Sequence, residues 1–216
     1  MSFIDITKNI LEGGLATLII FTLTVVFSLP LGLVFTFFRM SKNRILSGIS
    51  TFFISVLRGT PLMLQLIVWC FGPYYLFGIS LSTNWRFASI IIGFSINYAA
   101  YFAEIYRSGI QSIPIGQYEA AQVLGYTKAQ TFKKIIFPQM CKIVIPPVTN
   151  EIITLIKDTS LAFAVSYVEM FVVARQIAGA KTTIVPLFVA GAFYYIFNCI
   201  VAYIMECIEK RFKYYW

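Results

Sequence analysis

Histidine is absent from this chain of 216 residues. That removes imidazole zinc sites and histidine-based acid/base chemistry from consideration. Charge is scarce as well: 12 % of the residues are Asp, Glu, Lys or Arg, against about 25 % in soluble domains. Four cysteines, Cys70, Cys141, Cys199 and Cys207, show no paired metal-ligand spacing, and the last two read as packing residues on one helix face. No Gly-rich phosphate loop closes on Gly-Lys-Ser/Thr, so the chain is expected neither to hydrolyse ATP itself nor to be an enzyme.

What remains is apolar. Hydrophobic residues make up 59 % of the chain and aromatics 17 %, and the mean hydropathy is +0.80. A soluble core of this size cannot hide so much apolar surface. Charge-free runs cover 13–38, 59–85, 87–103 and 182–205, lengths of 26, 27, 17 and 24 residues. A membrane helix needs about 20. The first run is too long, and followed by too many others, to be only a signal peptide. The expectation is an all-α, multi-pass protein of the cell inner (plasma) membrane, with membrane lipid around it and one transmembrane domain over 1–216. The net charge of +8 then points to anionic lipid and cytoplasmic loops rather than to nucleic acid.

Five spans are placed. The first is about Gly14–Phe38, with Pro30 inside it. The second lies within Leu46–Phe77, broken at Arg58–Pro61 and again at Gly72-Pro73. The third is about Phe87–Tyr106, the fourth runs from near Ile143 to near Val165, and the fifth is about Thr183–Met205. Eleven Lys and Arg, including Arg39, Arg107 and Lys134, fall on one set of loops; four, Lys8, Arg86, Arg175 and Lys181, fall on the other. The bias predicts a cytoplasmic C-terminus and an N-terminus outside, as five spans require. The tail Phe212–Trp216 reads as an interfacial anchor, and Glu169 as part of an outer segment that contacts a partner or covers the bundle.

The cytoplasmic loop 107–142 does not read as a passive linker. Gly109, Pro114 and Gly116 stop the third helix, and Glu119 to Leu124 forms a short helix closed by Gly125. Thr127–Ile136 reads as a second short helix ended by Pro138. By composition alone the pair either docks a partner or lies on the membrane interface.

Here the sequence resembles a known family. Glu119-Ala120-Ala121, Gly125, Ile135, Ile136 and Pro138 resemble the cytoplasmic loop signature of ABC-type importer permeases. Leu57-Arg58-Gly59-Thr60-Pro61, Ala103 through Ile110, and Asn150-Glu151 followed by Thr154 through Leu161 are similar to the polar amino-acid uptake branch. The likeness runs from about Gly13 to the C-terminus. It implies a type I importer architecture in which two permease subunits, identical or homologous, form the pathway. It further implies two ATP-binding subunits that hold ATP and Mg2+, an extracytoplasmic substrate-binding protein, and no cofactor on this chain. The coupling helix would comprise Gln117, Glu119, Ala120, Ala121 and Gly125, with Glu119 capping the helix or pairing with the ATPase.

Ionisable groups within spans are functional candidates by default. Glu151 and Asp158 are seven residues apart, two helical turns, so both project from nearly one face about 10 Å apart along the axis. With Asn97 and Arg58 they form the candidate solute-binding set for an amino acid, polar or basic. Each also has a structural reading: Asn97 as a helix–helix hydrogen bond, the charged groups as pairs that lock the bundle. Two other classes remain, a stand-alone secondary amino-acid carrier and a membrane channel or scaffold subunit. No internal repeat of the kind such carriers show is evident.

Overall fold

The computed structural model describes residues 3–78 and 80–212, and every regular element among them is helical. Helix α1 spans Phe3–Arg39. Its buried residues recur every three or four positions: Ile6, Ile10, Gly13, Thr17, Ile20, Thr24, Ser28, Gly32 and Thr36. Most are small, so the backbone of α4 (Thr83–Gln111) approaches closely. A Cβ on Gly32 would stand 2.8 Å from the Phe102 Cβ. Two polar bonds fasten the seam: the Thr36 hydroxyl donates to the Ala103 carbonyl at 3.2 Å, and Tyr106 to that of Leu29 at 3.4 Å. The opposite face of α1, including Leu15, Val26, Phe27 and Phe37, is exposed, as a lipid-facing stripe is.

The second span is broken where expected. Helix α2 (Arg44–Gly59) and helix α3 (Leu62–Phe77) meet at an angle of 109°. Thr60 and Pro61 are extended there, because the residue before proline is pushed out of the helical region. Such a break inside a membrane needs its polar groups covered. Gln65 supplies this: its Nε2 donates to the carbonyls of Leu57 at 2.8 Å and Thr60 at 3.2 Å. The expected second interruption at Gly72-Pro73 does not occur, and α3 continues to Phe77. The Trp85 indole donates to the Cys70 carbonyl at 2.9 Å, fixing this part of α3 to α4.

After α4 a short helix α5 covers Ile115–Val123. Gly125 then takes φ +75°, a left-handed turn that glycine adopts without a Cβ clash. The expected separate helix ended by Pro138 is corrected. Helix α6 (Lys128–Thr131) passes through a π-turn at Phe132–Ile136 into α7 (Phe137–Asp158), which a 3-10 turn carries on to Val165. Pro138 sits in the first turn of α7, where its missing N–H costs little. The wider π-turn before it relieves the proline ring.

Helix α8 is Met170–Lys181, and α9 is Val185–Phe212. The third and fifth spans therefore run several residues longer than expected. Helices α1, α4 and α9 are each long and apolar enough to cross a membrane. The bent pairs α2–α3 and the 128–165 helix with α8 bring the number to five if each is one span. Cys199 and Cys207 are exposed on α9, so they do not pack inside the chain. In the tail, 213–216 lie outside the described residues.

Candidate functional site

Asp158 ends α7 at the point where the helix tightens into its 3-10 turn. Its Oδ2 accepts from the Tyr98 hydroxyl of α4 at 2.7 Å. Glu151, half-buried two turns earlier on α7, lies within reach of the charges of both Asp158 and Arg58. Sequence spacing put Glu151 and Asp158 on one face, and the structure adds Tyr98 as the residue that joins Asp158 to α4. Tyr98 is almost fully buried, and Tyr101 one turn on carries the Arg58 guanidinium over its ring at 5.2 Å.

Asn97 points elsewhere. Its amide donates to the Leu57 carbonyl at 3.2 Å and to Gln65 Oε1 at 2.9 Å. Asn97, Gln65 and the carbonyls of the α2–α3 break thus form one buried polar network. Gln65 belongs to no motif; it and Asn84 are the two amides of the charge-free run 59–85, and its place in the apolar part of that run was its available signal.

A second charged cluster is denser. Glu104 on α4 receives Arg39 from the end of α1, Arg107 at 2.9 Å and Arg58 at 3.8 Å. Arg107 also donates to Gln111 at 2.5 Å. Three elements are tied through one carboxylate whose side chain is only 14 % exposed. Nothing in the sequence spacing pointed to Arg39, 65 positions before Glu104, as its partner.

The loop candidates gather on and beside α5. Gln117, Glu119 and Ala120 are exposed, whereas Ala121 is fully buried and anchors the helix. Glu119 lies in mid-helix, so it does not cap; Pro114 occupies that position. Ile115, Val123 and Leu124 are 75 %, 87 % and 73 % exposed, an apolar surface on a short polar segment. Partial burial pushes the Tyr118 phenol above its ordinary range.

Of the two readings given for its segment, Glu169 takes the one that packs the bundle. It is fully buried and caps α8, accepting from the Phe171 and Val172 amides at 2.8 and 3.0 Å. Tyr194 of α9 donates to it at 2.9 Å and Thr17 of α1 at 3.3 Å. A carboxylate at a helix N-terminus that fills this many donors belongs to the packing, not to an exposed outer surface. Among the described residues no three His, Cys, Asp or Glu side chains come together as a metal site requires.

Comparison with known proteins gives one answer at three levels. Residues 28–214 match the family model described as binding-protein-dependent transport system inner membrane component. A putative glutamine transport system permease protein from Rickettsia bellii is 37 % identical over 205 residues, 94 % of this chain and 92 % of the relative. The L-cystine transport system permease protein of Bacillus subtilis is 38 % identical over 210 residues, 95 % and 88 %. The arginine transport system permease protein of the same organism is 36 % identical over 206 residues, 94 % and 92 %. Among solved structures, an amino acid ABC transporter with histidines superposes with a TM-score of 0.86 at 27 % identity, covering 98 % of this chain and 99 % of that one. The MetNI methionine transporter, at 18 % identity and a TM-score of 0.71, shares the fold.

Proposed function

This chain belongs to the family of binding-protein-dependent transport system inner membrane components, in its amino-acid ABC permease branch, and from that we propose that it forms half of an ATP-driven import pathway for a polar amino acid. The observation that carries the reading is the α7 face, where Glu151 and Asp158 present carboxylates inside a spanning helix beside Tyr98 and Arg58. An amino acid brings an ammonium to such acids and a carboxylate to Arg58; a basic side chain adds a second cation. Spread over several weak contacts, the solute is held and also released. Asn97 takes its other reading, a helix–helix hydrogen bond that holds the adjoining α2–α3 break.

The partners follow from the same premise. A second permease copy or homologue completes the pathway, two ATP-binding subunits hold ATP and Mg2+ beneath α5, and an extracytoplasmic binding protein delivers the solute. Hydrolysis belongs to the ATP-binding subunits, so this chain is not itself the enzyme. The exposed apolar side chains of α5, with Gln117, Glu119 and Ala120, are suited to a groove on the ATPase, and Gly125 to the sharp exit. The C-terminus and α5 are cytoplasmic and the N-terminus is outside. Alternating access comes from two permease halves rocking as the coupling helices move.

Native mass spectrometry of the tagged chain in mild detergent tests this. Two permease and two ATP-binding chains are expected, with ATPase activity raised by the loaded binding protein. A stable monomer that carries out ion-coupled amino-acid uptake alone would overturn it.

A further inference from the structure

The outward faces of the spanning helices differ in kind. Those of α1 and α9 are apolar: Leu15, Val26 and Phe27 are exposed on one, Ile196, Ile200 and Ile204 on the other. On α7, Val144, Val148, Ile152 and Leu155 are buried against the bundle, while Asn150, Thr154 and Lys157 are exposed. Their spacings of four and three residues put all three on one stripe. An amide, a hydroxyl and an ammonium in a spanning helix do not face hydrocarbon. The α7 stripe is therefore covered by protein or water.

Lys157 is the most demanding group on that stripe. Among the described residues no carboxylate lies within ion-pair distance of its ammonium. Asp158 is next in sequence, but successive residues of a helix project about 100° apart, so the two do not satisfy each other. Of the Asp158 carboxylate only Oδ2 is engaged, by the Tyr98 hydroxyl at 2.7 Å. Its Oδ1 accepts no bond among the described residues. An unpaired cation and a half-used anion thus stand side by side on one edge of the chain.

That pattern is self-complementary. A two-fold axis along the membrane normal sets each residue opposite its counterpart at equal depth, and Lys157 and Asp158 differ in depth by only about 1.5 Å. We propose that the α7 stripe is the face that meets a second copy of this chain, with Lys157 of each copy paired to Asp158 of the other while no solute is bound. The inference rests on the import function proposed above and deepens it. An arriving amino acid puts its ammonium on Asp158 and frees Lys157, so solute and the contact between copies compete for one carboxylate.

The test co-expresses two differently tagged copies within the full complex and measures the pair recovered on both tags after mild warming. Lys157→Gln in one copy with Asp158→Asn in the other removes one reciprocal pair whole and leaves the second intact. Lys157→Gln and Asp158→Asn together in one copy break both pairs and strand a cation and a carboxylate on the untouched copy. The two complexes have the same composition, and asparagine keeps an oxygen for Tyr98. About tenfold greater recovery of the first arrangement is expected, the order of one charge-pair coupling. Equal recovery overturns the proposal, and the reverse order does so in favour of pairing within each chain. Complexes that hold one copy, a homologue and ATP-binding chains, never two copies, overturn it while the import function stands. Two copies that keep the expected order without ATP-binding chains uphold the pairing and remove the import function. Should neither arrangement assemble, carbodiimide coupling in the wild type decides. A peptide carrying the 157–158 stretch twice can come only from two copies, and its absence overturns the proposal.

Discussion

Arg58 stands 3.8 Å from the Glu104 carboxylate and is the most distant of three arginines on that group. Arg39 and Arg107 hold it more closely, so the charge of Glu104 is already satisfied without Arg58. The Arg58 side chain is 42 % exposed, rests over Tyr101, and acts on Glu151 as well. It also closes α2 immediately before the break that Gln65 and Asn97 stabilise. One weakly committed cation thus stands between a structural cluster and the proposed solute face.

Removing each partner should separate those two roles. Glu104→Gln leaves Arg39 and Arg107 converging on a neutral group, at a cost of about 3 kcal/mol. Arg58→Gln removes only the longest and most exposed contact, at about 1 kcal/mol or less. The same Arg58→Gln variant should lower solute-stimulated ATPase activity about tenfold, as for a coupling energy of 1–3 kcal/mol. Thermal unfolding of the purified complex beside its ATPase activity checks both. Equal destabilisation by the two variants would make Arg58 a structural residue.

Tyr98→Phe deletes one hydroxyl and one hydrogen bond to Asp158 while keeping the ring in its packing. Assembly should be unaffected, and the solute concentration for half-maximal ATPase stimulation should shift about ten- to hundredfold, the range for one charge-assisted hydrogen bond. Titration with a basic and a neutral amino acid distinguishes the effect: if both curves are unchanged, Asp158 does not face solute.

Gly116 and Gly125 offer a controlled pair beside the same short helix. Neither has an atom within 4 Å of an added Cβ, but Gly125 has φ +75° and Gly116 is helical. Alanine at Gly125 costs about 1–2 kcal/mol of backbone strain; at Gly116 it gains up to about 1 kcal/mol of helix propensity. Gly125→Ala should therefore weaken ATPase stimulation by the loaded binding protein, and Gly116→Ala should not. Matching behaviour of the two would remove the left-handed turn from the coupling account.

Gly109 tests the α4–α7 seam. A Cβ there would run into Val144 Cγ1, closer than real contacts allow. Gly109→Val should destabilise by about 1–3 kcal/mol, and Val144→Ala should recover part of that in the double variant by making room. Thermal unfolding of the three proteins measures it, and an additive double variant would show that the two positions do not share the space.

Spans were legible because charge-free length is a local property, and the break at Arg58–Pro61 because proline acts on its immediate neighbour. The prolines at Pro73 and Pro138 were misread for the same local reason. Helix α3 runs through Pro73, and a π-turn precedes Pro138, which no local proline rule includes. The Glu151–Asp158 face followed from helical period. Tyr98, Gln65 and the Arg39–Glu104 pair did not, since they depend on which helices meet. The family motifs carried what spacing could not, including the role expected of Gly125.

Glu169 shows the limit most sharply: its outer segment read equally as a partner contact or a cover for the bundle, and only the structure shows it as a four-donor hub joining α1, α8 and α9. Glu169→Ala strips acceptors from two backbone amides and the Tyr194 hydroxyl, each loss worth about 1–3 kcal/mol and not additive. Glu169→Gln keeps one oxygen and should lose less. Hydrogen exchange at Phe171 and Val172 reads the cap directly: at least tenfold faster exchange is expected in the alanine variant, corresponding to about 1.4 kcal/mol of local opening, with an intermediate rise for glutamine. Unchanged exchange together with lost stimulation by the binding protein would return Glu169 to an outer contact surface, against the burial seen here.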